Sequence, residues 1–237
     1  MMDLEGEEGV RIRSFVVADR TLLRFTWMVI FCTVVLSMLI HAASGNARDV
    51  PFFISESDYP GIERYVFTVG LTLSGLLLCT LSMRLKHAFD VIAKPTYARI
   101  SLWAGLATGL SLVLLSWFNM YDQIILHSLF AMITFGGGYL WGWSTHSSLL
   151  EAPSRGHVVR KSWLKVAGVS LLVMHLALAR PVKEYVLDGG IRDGTAIMNM
   201  SQNAINIAAP AEYLLFFSLV MMLASFGFDL ENRNEKT

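Results

Sequence analysis

The sequence predicts an all-α polytopic membrane protein, a six-transmembrane-helix bundle with both termini cytosolic. Three observations carry that prediction. Of the 237 residues, 54% are hydrophobic and only 16% charged, against roughly 25% charged in a soluble globular domain, and the mean hydropathy is +0.51. A hydrocarbon layer about 30 Å thick needs roughly 20 apolar residues at 1.5 Å rise, and six charge-poor stretches of about that length are present. Lys and Arg divide fourteen to five between the two sides that six spans create, and the cation-rich side is the cytosolic one. The same composition excludes a soluble domain and intrinsic disorder. With 19 cations balanced by 19 acids, no basic field exists to collect nucleic acid.

Residues 1–21 read as a cytosolic tail whose acidic run around Glu5 to Glu8 is solvated. Those polar residues precede the first apolar stretch without a small-residue cleavage site, so the first span is expected to remain as a helix. The membrane domain covers 22–230, with spans at about 22–42, 65–83, 100–118, 124–145, 163–179 and 211–228, and 231–237 is a second cytosolic tail. Span five is short, with Lys165 near its start; its ammonium can snorkel to the interface, the alternative being a buried or interfacial helix. The 43–64, 119–123 and 180–210 connections then lie on the luminal or extracellular side. All six tryptophans, at 27, 103, 117, 141, 143 and 163, fall near span ends, where indoles anchor. Cys32 and Cys79 sit in apolar runs outside any metal-binding spacing and can form at most one disulfide. Small residues four apart, Gly70 and Ser74, Gly105 and Gly109, Gly138 and Gly142, permit close helix approach. They leave a homo-oligomer and contact within one bundle as the two readings.

Polar groups are costly in a bilayer, so those kept in or beside spans are where function is sought. His41, His127 and His175 fall towards the luminal ends of spans one, four and five, and Asp122 and Glu212 at the luminal starts of spans four and six. Three imidazoles and two carboxylates at one depth could hold zinc. The histidines come one per helix with no local ligand spacing, so the expectation is that they do not converge and that no metal or other cofactor is used. Glu212, at the edge of a span, is expected to be held by a cation or imidazole, with Arg64, Arg180 and His127 the candidates. On the cytosolic side, Arg84, Lys86, Lys94, Arg160 and Lys161 are candidate contacts for anionic inner-leaflet lipids, or simply set topology. Asn199-Met200-Ser201 is a glycosylation sequon on the luminal side. No nucleophile elbow, phosphate-binding loop or dinucleotide fingerprint occurs.

The luminal segment 50–63, Val-Pro-Phe-Phe-Ile-Ser-Glu-Ser-Asp-Tyr-Pro-Gly-Ile-Glu, resembles the first luminal loop of the DRAM / FGF-receptor-activating / Sfk family. His127 opening span four after Trp117-Phe118, and Glu212-Tyr213 with Ser225-Phe226 and Asp229-Leu230, are similar to that family's fourth and last helices. The resemblance runs from about residue 22 to 230. It implies a six-helix protein of the endomembrane system, lysosome or Golgi, or of the plasma membrane. Family roles include autophagy modulation, phosphoinositide-kinase adaptation and GPI-anchor lipid remodelling. Ser55, Asp58 and Glu63 of the loop join His41, Asp122, His127, His175 and Glu212 as a candidate luminal cluster. The resulting expectation is a non-enzymatic protein that organises membrane lipids or partner proteins. A luminal lipid-modifying hydrolase or transferase is the alternative, and an accessory subunit of a larger complex the third reading.

Overall fold

A computed structural model of the chain describes residues 9–12, 15–150, 154–187 and 194–234. The acidic run at Glu5 to Glu8 lies outside them. An antiparallel hairpin opens the described chain, β1 (Gly9–Ile12) against β2 (Phe15–Ala18), with Gly9 opposite Ala18 and Ile12 opposite Phe15. It is a local addition to a chain that is otherwise helical.

The spanning helices are α1 (Asp19–Ser44), α2 (Ile62–Phe89), α3 (Pro95–Trp117), α4 (Ile124–Ser148), α5 (Arg155–Leu187) and α7 (Gln202–Ala224). The short helices α6 (Gly194–Met200) and α8 (Phe226–Asn234) flank the last of these. Six helices are long and apolar enough to cross a membrane. Local chemistry sets two of the boundaries. Gly45 ends α1 at φ +79°, a left-handed conformation that costs glycine nothing, and Pro95 opens α3 where its missing N–H is no loss.

Burial is inverted relative to a soluble bundle. Leu39, Val69, Leu110 and Leu176 are more than half exposed, whereas Ser37, Ser74, Ser144 and Ser218 are fully buried. Each of these serines donates to a carbonyl three or four residues back on its own helix, so these four hydroxyls are satisfied within their own helices. Glycines allow the closest helix contacts: Gly75 of α2 faces Gly109 of α3, and Gly105 of α3 faces Ser82 and Trp141. The small-residue positions thus serve contacts within one chain.

Helices α1, α2, α3, α4 and α7 close into a ring, each packed on the next, while α5 lies outside it against α7 and α4. Both ends of the described chain meet at one end of the bundle, where Arg20 at the start of α1 donates to Glu231 of α8 at 3.2 Å. The opposite end carries the α1–α2 loop and is called the loop end below.

Several boundaries differ from expectation. The last span begins at Gln202 rather than near 211 and carries Pro210 inside it; neighbouring helices can absorb the lost hydrogen bond in a membrane bundle. The 180–210 connection is largely helical, since α5 runs on to Leu187 with Arg180 donating to Glu184 one turn on at 2.8 Å. The first span starts at Asp19, whose carboxylate accepts from Arg84 Nε at 2.8 Å. Trp141 is 2% exposed, in the interior rather than at an interface. Cys32 and Cys79 are both free.

Candidate functional site

Between α1 and α2 the chain turns back into the loop end of the ring instead of lying over it. Its centre is a short 3-10 helix, Ile54–Asp58, in which Ile54, Glu56, Ser57 and Asp58 are all buried. A polar segment is stable there only if each group finds a partner, and most do. Glu56, fully buried, accepts Arg48 Nε at 2.7 Å and an Arg48 terminal nitrogen at 2.9 Å, a two-pronged pair. It also accepts the Phe53 N–H at 2.8 Å, while the Glu56 N–H returns a bond to the Phe53 carbonyl at 3.0 Å.

The rest of the ring fastens the same segment. Arg48 donates to Gln202 Oε1 at 2.5 Å, and Gln202 donates to the Pro51 carbonyl at 3.3 Å. From α7, Glu212 accepts the Ile54 N–H at 2.8 Å, and the Tyr213 hydroxyl donates to the Phe52 carbonyl. The Tyr121 hydroxyl donates to the Glu56 carbonyl at 2.9 Å. Burial beside Glu56 and Asp58 pushes that phenol well above its usual range, so it stays a donor.

Beside this clamp lies a second buried cluster. His41, near the end of α1, donates from Nδ1 to Glu63 Oε1 at 3.4 Å, and Ser44 and Asn46 donate to the same oxygen. Phe52 packs edge-on against the His41 ring at 5.2 Å. Gly61 leaves room for the Glu63 carboxylate to fold back, since a Cβ there would collide with it. Asp58 is different: its two carboxylate oxygens are buried without a hydrogen bond. Arg64 lies 3.4 Å from one of them, but its guanidinium donates to the Asp58 backbone carbonyl.

Under the clamp the ring leaves a partly open apolar cavity of about 110 Å³. Ser55, His127 and Glu212 line its loop end; Leu78, Trp141 and Met222 line its far end. His127 is 3% exposed and donates from Nδ1 to the Phe118 carbonyl at 2.7 Å, while Nε2 is buried without a partner.

The predicted luminal residues thus divide. Ser55, His127 and Glu212 come together at the cavity; His41, Asp58 and Glu63 belong to the loop clamp. Asp122 and His175 join neither: Asp122 is exposed and held by Asn119 at 2.8 Å, and His175 is exposed and bonded to Leu171 on its own helix. Among the described residues no three His, Cys, Asp or Glu side chains group as a metal site. The hydrogen bond that Glu212 accepts comes from a backbone N–H and not from the expected cation or imidazole. Glu212 also sits ten residues inside α7, well away from the span's start.

At the opposite end, Arg160 is fully buried, donating to Asp229 at 2.6 Å with its guanidinium 5.0 Å over the Phe226 ring, so it holds α5 to α8 instead of facing lipid. Arg84 is bonded to Asp19 and Lys86 to Asp90, Lys94 is half-buried, and Lys161 is exposed. Asn199 is exposed on α6.

Arg48, Glu56, Tyr121, Gln202 and Tyr213 make the clamp; sequence reasoning gave a structural role to none of them and named Tyr213 only within the family resemblance. An Arg and a Glu eight residues apart in a loop flanked by apolar spans was the one available signal.

No curated protein and no solved structure matches the chain. A model described as the Frag1/DRAM/Sfk1/Cwh43P N-terminal domain matches residues 19–233, the whole span from the first turn of α1 into α8. The chain is therefore an integral multi-pass membrane protein belonging to the Frag1/DRAM/Sfk1/Cwh43P N-terminal domain family.

Proposed function

We propose that this chain is a non-enzymatic organiser of membrane lipids or partner proteins, acting through a rigid cap at its luminal or extracellular end. The observation that supports this is the Glu56 clamp. A carboxylate that is fully buried and accepts three N–H groups is committed to holding the loop and is not free to shuttle protons. Buried ion pairs are weak sources of stability, but their geometry can select one conformation over others. Here they fix a surface whose rim exposes Val50, Ile62 and Tyr65 at 79%, 68% and 73%. Apolar side chains at a membrane interface are suited to engage lipid or another membrane protein.

The test is isolation from membranes in lipid nanodiscs, with the co-isolated lipids and proteins quantified. Wild type is expected to enrich a defined lipid class or partner over the bulk membrane. Val50→Asp, at an exposed rim position, is expected to lose that enrichment with an unchanged unfolding midpoint. Added lipids are expected to be recovered unaltered. Time-dependent conversion of a lipid would replace this reading with that of a lipid-modifying enzyme.

A further inference from the structure

The cavity inside the ring is not accounted for by the cap. Its far end is wholly apolar, and it follows α7 from Glu212 to Leu223, roughly 16 Å at 1.5 Å per residue. That is about half of a hydrocarbon layer some 30 Å thick, the depth reached by one lipid chain from one leaflet. At about 110 Å³ it is somewhat smaller than the roughly 150 Å³ engineered cavity that stays dry and takes up benzene. That leaves room for part of one slender chain and none for the two chains of a phospholipid.

The loop end of the cavity has a specific deficit. His127 gives its Nδ1–H to the Phe118 carbonyl, so the Nε2 of the neutral ring is an acceptor. Nε2 is buried and has no hydrogen-bond partner. Glu212 accepts the Ile54 N–H through Oε2. The Thr134 hydroxyl, two turns along α4 from His127, is likewise buried and unpartnered. His127 Nε2 and the Glu212 carboxyl thus share the loop end, with the Thr134 hydroxyl, able to donate or accept, further along α4. No Lys or Arg lines the cavity, so a phosphate or carboxylate head would find no counter-charge.

From this juxtaposition we infer that the ring binds a neutral single-chain amphiphile: its aliphatic chain runs along α2, α4 and α7, and its terminal hydroxyl donates to His127 Nε2 beside Glu212. Binding is internal and does not depend on what the cap engages. A free long-chain alcohol and a monoacylglycerol present the same chemistry.

The full-length protein in detergent is labelled with a diazirine-bearing long-chain alkanol, and the adducts are mapped by mass spectrometry. Labels are expected on α2, α4 and α7 residues of the cavity. Unlabelled alkanol or monoacylglycerol should compete, and diacyl phosphatidylcholine should not. Competition by one of the two and not the other names the source of the chain. Ala131→Phe, which fills the cavity wall, is expected to lower labelling about tenfold, the equivalent of about 1.4 kcal/mol, while Leu112→Ala, which widens it, retains labelling. Labels confined to lipid-facing positions such as Leu39 and Leu110, or labelling that Ala131→Phe leaves intact, would overturn the site. If that variant fails to fold, absence of competition on wild type overturns it equally.

Discussion

Asp58 shows how one side chain couples the loop to its surroundings. Burial is the largest influence on it and pushes its carboxyl from 3.8 up to about 7, reinforced by Asp122 and opposed by Arg64. Between about pH 4 and pH 7 the unfolded chain has lost this proton while the folded chain keeps it. The unfolded state binds fewer protons there, so stability falls as pH rises through that window and levels off above it. Thermal unfolding in detergent is expected to show a higher midpoint at pH 5 than at pH 8 for wild type, with that difference reduced in Asp58→Asn. Equal slopes in both proteins would remove Asp58 as the source. The polar residues themselves were legible in the sequence, because a His or Glu beside an apolar run is conspicuous. Their partners were not: Ile54 meets Glu212 across 158 positions, a pairing that only the ring closure creates.

At the scale of elements, the closest contacts lie where side chains are smallest. A Cβ on Gly75 would run into the Gly109 carbonyl, and one on Gly109 would meet the Gly75 carbonyl and the Cys79 side chain. Backbone cannot move aside as a flexible side chain can, so Gly109→Val is expected to force α2 and α3 apart and cost about 1–3 kcal/mol, the usual penalty for overpacking. Gly136→Ala, with open space around it, is the matched control. Unfolding by a denaturing detergent should separate the two, and equal stability would contradict the packing account. The spacing of these glycines was readable beforehand, but their facing residues were not, since one small-residue motif suits many helix neighbours. Span six was misplaced for a related reason. A search for charge-free stretches stops at Glu212, whereas the helix carries that residue inside because the loop supplies an N–H for it.

For the whole molecule, six spans place both ends of the described chain together, as the Arg20–Glu231 bond shows, and the cation asymmetry is our ground for proposing that this end is cytosolic. In sealed vesicles of known orientation, a thiol introduced at Val50, 79% exposed, is expected to react with an outside reagent, and one at Val91, 94% exposed, is not. The reverse pattern would invert the protein.

The clamp also imposes an order on biosynthesis. Arg48 and Glu56 are eight residues apart and emerge together, so the ion pair can form as soon as the loop exists. Gln202, Glu212 and Tyr213 emerge more than 150 residues later than the loop groups they hold. At roughly 5–20 residues per second the loop waits on the order of 10 to 30 s for its last latches. During that interval the Ile54 N–H lacks its carboxylate, and the ring is open on the side that α7 will fill. A nascent chain stalled before α7 therefore presents an unlatched loop and an open, apolar-lined groove, which makes the arrival of α7 the event that closes the ring.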